Sequence, residues 1–115
     1  MRIKIKYKFE SMNNYINKCR SNYHYANKIK QQETDLACLA FTKIPKIEEY
    51  PIELIFHWYM KSKNADLDGR LPKNIIDGLV RSKKIVDDNV KYIQKITHVY
   101  HESKEDYVEV EIKKI

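Results

Sequence analysis

IELIFHWYM, from Ile52 to Met60, holds the longest strand-like alternation in the chain. Its even positions, Ile52, Leu54, Phe56, Trp58 and Met60, are all apolar. Its odd positions, Glu53, Ile55, His57 and Tyr59, are mixed. A period of two is the period of a β-strand, because successive side chains point to opposite faces. A run this rich in apolar residues predicts an inner strand covered on both faces. On that reading His57 is a strand residue on a covered face.

On the N-terminal side, Arg2 to Phe9 alternates basic and apolar residues and predicts a first strand with Ile3, Ile5, Tyr7 and Phe9 inward. Ser11 is a helix N-cap residue, and no glycine or proline follows it until Pro45. Met12, Ile16, Cys19, Tyr23 and Ala26 step by four and three, and Leu36, Leu39, Ala40 and Phe41 resume the stripe. That spacing predicts one long helix ending before Pro45. On the C-terminal side, Leu71, Ile75 and Leu79 have helical spacing, with Pro72 in the first turn. Strands near Lys91–Tyr100 and Tyr107–Ile112 follow. The predicted architecture is one α/β (α+β) domain over residues 1–115. Its order is β-α-β-α-β-β, with a mixed sheet of about four strands, one long helix and one shorter helix.

The composition is that of an ordered protein: 115 residues, 43% hydrophobic and 33% charged, with 22 lysines and arginines against 16 acids. The net charge is +6 and the pI is near 9.2. From Met1 to Gln32 the bases are Arg2, Lys4, Lys6, Lys8, Lys18, Arg20, Lys28 and Lys30, and the only acid is Glu10. A polyanionic partner fits this imbalance, nucleic acid before membrane, beside the plainer reading of solvated surface charge. Lys18, Arg20, Lys28 and Lys30 lie in a segment without acids and are read as contacts to a DNA backbone. Tyr23 is assigned to the core stripe, while Tyr23-His24-Tyr25 as a grip on unstacked bases is the alternative. Cys19 and Cys38 have no ligand or disulfide spacing, which points to a reducing, cytoplasmic setting. His98 and His101 are three apart in a strand and should face opposite sides, against a zinc site.

Chemistry concentrates after the central strand. NADLDG, Asn64 to Gly69, opens like a calcium loop, but the twelfth position is Ile75 where a bidentate glutamate is required. Magnesium asks for fewer carboxylates and keeps waters. Asp66 and Asp68 reach one ion only if the chain bends there, with Gly69 giving freedom to bend. A third carboxylate from Asp87 or Asp88 completes an open site able to polarise a phosphodiester and acidify the attacking water. Lys73 then lies near enough to neutralise charge on the phosphate. The plain alternative is that Asp66 and Asp68 cap the helix and that Asp87-Asp88 forms a surface turn.

The stretch DLDGRLPKNIIDGL (Asp66–Leu79), followed by VDDNV (Val86–Val90), resembles the RusA-like Holliday junction resolvases. That family carries D-x-D-N, a lysine, an aspartate four residues later, and an acidic pair opening a strand. Lys73 and Asp77 keep the spacing of four, and Asp87-Asp88 stands for the pair. Ser11-Met-Asn-Asn-Tyr15 is similar to the family's S-x-N-x-Y/W segment before its long helix. The resemblance implies that Asp66, Asp68 and Asp88 hold Mg²⁺ and that Lys73 faces the scissile phosphate, while the departures from the family pattern leave room for Arg70 to share its task. Asp77 and Asp87 become supporting acids. It further implies a homodimer making paired symmetric cuts in branched four-way DNA, with no membrane and no small-molecule substrate. Two-fold symmetric cuts call for two symmetric sites, which an isologous dimer supplies. The chain departs from the pattern at Gly69, where the family has asparagine, and by one extra residue between Asp68 and Lys73.

Overall fold

The computed structural model describes residues 1–115. Three helices, α1 (Met12–Ser21), α2 (Tyr23–Phe41) and α3 (Lys73–Arg81), accompany four strands. The strands are β1 (Arg2–Ile5), β2 (Ile52–Met60), β3 (Ile93–Glu102) and β4 (Tyr107–Lys114). They form one mixed sheet in the order β1-β4-β2-β3. β4 is antiparallel to both β1 and β2, while β3 runs parallel to β2. The α+β class with a four-strand mixed sheet is therefore as the residue pattern predicts. No helix is long and apolar enough to cross a membrane.

β2 matches its predicted bounds and is an inner strand. Ile52, Leu54, Phe56, Trp58 and Met60 all point to the helical side and enter one core with Phe41, Ile75, Leu79, Val108, Val110 and Ile112. Each large side chain removed from water there contributes about 1.5–3 kcal/mol. α3 reaches α2 at unusually close range. A β-carbon on Gly78 would meet the Ala37 Cβ at 2.6 Å and the Cys38 amide nitrogen at 2.9 Å. Gly78 is thus the residue that lets the two helices touch, beyond its small penalty in a helix interior.

The predicted single long helix is broken at Asn22. Ser11 caps α1 as expected, its Oγ accepting from the Asn14 amide at 3.2 Å. Asn22, at φ −156° and ψ 93°, ends α1, and its side chain then accepts from the Tyr25 amide to start α2. An asparagine that satisfies orphan amides itself makes such a break inexpensive. The apolar stripe shifts in consequence. α1 buries nothing, Tyr23 is 65% exposed instead of belonging to the core, and Leu39 is 66% exposed. The buried line of α2 is Ala26, Ile29, Glu33, Ala37 and Phe41, with a glutamate in the middle. That carboxylate is fully buried and accepts from the Glu10 amide (2.9 Å) and from Asn74 Nδ2 (2.8 Å), tying the segment after β1 and the first turn of α3 to α2. β1 stops at Ile5, although Phe9 is still buried.

The odd positions of β2 face away from all three helices, so β2 is not covered on both sides. Their neighbours are other strand residues. Glu53, Ile55 and Tyr59 stay partly exposed there, whereas His57 is buried, as expected for it.

Candidate functional site

The chain leaves β2 at Met60 and turns within Leu67–Gly69, where the amides of Gly69 and Arg70 donate to the carbonyls of Asp66 and Leu67. Asp66 precedes this 3-10 turn without a side-chain capping bond, and Pro72 precedes α3 likewise. Helix capping therefore does not explain these acids. The Asp66 and Asp68 side chains are exposed and have neither a hydrogen bond nor an ion pair. Gly69 has no positive φ, and a β-carbon there would touch only the Asp66 Cβ at 3.7 Å. The bend consequently does not depend on glycine, contrary to the role expected of it.

Lys73 and Asp77 sit one turn apart on α3, with Nζ 3.9 Å from Oδ1. The spacing of four read from the chain is thus a helical neighbour relation. So exposed a pair adds little stability and leaves Lys73 free to swing. Asp87 is engaged in its own loop: Oδ1 accepts from the Asp88 amide (2.8 Å) and Oδ2 from Asn89 Nδ2 (3.2 Å). That is the surface turn of the plain reading. Asp88 is exposed beside it.

These acids do not converge within one chain. β2 and β3 are parallel, with Ile52 opposite Ile93 and Met60 opposite Glu102. Asp66 and Asp68 follow the end of β2, whereas Asp87 and Asp88 precede the start of β3. The loop carrying the second pair is fixed at that far end, because Ile47 donates to the Lys84 carbonyl, the Val86 amide to Tyr50 Oη, and Ile52 to the Tyr92 carbonyl. The nine residues of β2 extend about 30 Å at ~3.3 Å per residue. No three His, Cys, Asp or Glu side chains lie together where an ion could sit. The set Asp66, Asp68 and Asp88 thus does not fit Mg²⁺ in a single copy. Topology separates them, so no change of rotamer reunites them.

Beside the Asp66–Asp68 turn lies a groove of about 450 Å³, between the segment after β1 and the segment after β2. Lys8, Lys61 and Arg70 line it. Among the basic helix residues, Lys18 is committed. Its Nζ is 2.8 Å from Glu10 Oε1, a bond that pushes the lysine pKa up, and it lies over the Tyr25 ring. Arg20 and Lys28 are exposed, Lys30 is half-buried, and none of the three is ion-paired.

The open sheet face holds a cluster that the strand patterns did not single out. His57 Nε2 is 2.9 Å from Glu111 Oε1, and His57 Nδ1 is 2.9 Å from His101 Nε2. The bond from His57 holds the Glu111 carboxyl below its usual range. Burial, together with the adjoining His57 and Arg2, lowers the His101 pKa. The His101, Tyr59 and Tyr107 rings stack in a row at 4.4 Å spacings, and Lys4 sits over Tyr107. Arg2 bridges Glu109 (2.6 Å) and Tyr59 Oη (2.9 Å). The signal was present in the alternation, since His57, His101 and Glu111 all fall on odd positions of neighbouring strands. His98 points to the other side, accepting from Trp58 Nε1 at 2.8 Å, as the three-residue spacing from His101 predicts.

No protein-family model matches this chain, and no curated protein matches it.

Proposed function

We propose that the chain is a Mg²⁺-dependent endonuclease for branched DNA that works as a homodimer in a reducing, cytoplasmic setting. The observation that carries the proposal is the state of Asp66 and Asp68. Both are exposed on one turn, free of caps and ion pairs, next to the groove lined by Lys8, Lys61 and Arg70. Unpaired carboxylates beside Lys8 and Arg70, neither of them ion-paired, suit an ion shared with a phosphate, and Mg²⁺ is commonly held by one or two carboxylates with the rest supplied by water and phosphate. Lys73 and Asp77, at the start of α3, flank the same turn.

The geometry refines the reading in one respect. Asp88 lies at the far end of its own sheet, so a three-carboxylate set requires acids from two chains. A two-fold dimer supplies them in two equivalent places, as paired cuts demand. A non-catalytic DNA-binding module is the second reading, favoured by the missing convergence within one copy.

A synthetic four-way junction incubated with the protein, in Mg²⁺ or in EDTA, separates the two. Paired nicks that need Mg²⁺ and vanish in Asp68→Asn support the nuclease. Tight binding without cleavage in any divalent metal leaves the binding module.

A further inference from the structure

The geometry points to the groove between the segments after β1 and β2 as a specific site for one backbone phosphate of DNA, centred on Arg70. The guanidinium is fixed without being neutralised. Its backbone bridges to Ser11, its Nε donates to the Asp66 carbonyl at 3.3 Å, and the half-buried side chain shares a cleft with Phe9, Trp58 and Met60. No carboxylate lies within ion-pair distance of it, although the Asp66 charge acts on it from the same turn, and its two Nη atoms donate to nothing in the protein. A planar fork of donors held in place and left unused is matched to a phosphate.

Two lysines share the lining with Arg70. Lys8 has no ion-pair partner, and Lys61 is only 3.9 Å from Asp106. The two acids lining the groove are already engaged. Glu10 accepts from Lys18 at 2.8 Å, and Asp106 accepts from the Lys61 amide at 3.0 Å. Ser11 and Ser62 add hydroxyls at the rim. The groove therefore offers Arg70, Lys8 and Lys61 to an anion with its own two acids engaged, while the free carboxylates of Asp66 and Asp68 stand on the adjoining turn. Its volume of about 450 Å³ admits a phosphate with part of its sugar. The inference rests on nucleic acid being the ligand and not on cleavage, so it is tested where no cleavage occurs.

The full chain is titrated in EDTA with a fluorescent four-way junction at several salt concentrations, and separately with inorganic phosphate while the Arg70 Nε–Hε signal is followed by NMR. Arg70→Gln should weaken DNA binding by about tenfold or more, as loss of a charge-assisted contact does. The salt slope should fall by about one. Lys8→Gln, at an exposed position, should act in the same direction. The Arg70 signal should move on adding DNA. Unchanged DNA affinity in both variants overturns the inference. So does an equal loss in Lys113→Gln, an exposed lysine on β4, or a response of Arg70 to inorganic phosphate with none to DNA. If the protein binds through Arg70 yet never cleaves in Mg²⁺, the nuclease reading fails and the phosphate site stands.

Discussion

Asp68 and Asp88 stand at opposite ends of the parallel β2–β3 pair, because Ile52 is in register with Ile93 and Met60 with Glu102. A site that uses both must be built from two chains. Asp68→Asn and Asp88→Asn should each abolish junction cleavage when assayed alone. Mixed after subunit exchange, they should regain it, since a mixed dimer keeps one site with every carboxylate intact. Failure of the mixture to cleave, with mixed dimers shown by native mass spectrometry, sinks the shared-site arrangement.

Gly78→Ala sets two effects against each other. A helix interior gains nearly 1 kcal/mol from alanine by propensity. Here the new methyl group would lie 2.6 Å from the Ala37 Cβ and 2.9 Å from the Cys38 backbone nitrogen. Overpacking of that kind costs about 1–3 kcal/mol. We expect a net loss in urea unfolding, and a variant as stable as the parent would refute the close approach.

Glu33 gives the fold a pH dependence of known sign. Burial raises its carboxyl pKa above the usual value, although the Glu10 amide and Asn74 oppose the rise. Between the unfolded and the folded pKa, the native state holds more protons than the unfolded state, so stability falls as pH rises through that window. The stability difference between the parent and Glu33→Gln should accordingly shrink as pH climbs from the ordinary carboxylate range. A difference that grows with pH would show the ionised form to be favoured in the fold.

The His57 cluster acts in the opposite sense. Glu111 is held low by its bond from His57, so its contribution is complete above the ordinary glutamate pKa and is lost as pH falls through the lowered one. His101 is also lowered, which penalises its protonation in the fold below the ordinary histidine pKa. Both effects weaken the protein on acidification. Replacing His57 with glutamine should flatten the stability profile between neutral and acidic pH, as measured by thermal melts across that range. An unchanged profile would remove the cluster from any account of acid sensitivity.

Much of the fold was legible in local pattern. β2 is bounded as its alternation predicts, Ser11 caps α1, and Lys73 and Asp77 are helical neighbours, because a period or a cap is a property of a few adjacent residues. The break at Asn22 was missed, since the same asparagine is tolerated in a helix or can cap two of them. The stripe of α2 was misjudged, since a buried glutamate looks like a surface residue until Asn74 and the Glu10 amide are seen to satisfy it.

Composition and local pattern are enough to say which residues carry charge, where the central strand lies, and that the acids cluster in two short segments about twenty residues apart. Where those segments end up depends on how the strands pair. Residue periodicity is the same for a parallel and an antiparallel neighbour, while the direction of β3 relative to β2 depends on where α3 returns the chain. That direction takes Asp87 and Asp88 to the far end of the sheet from Asp66 and Asp68.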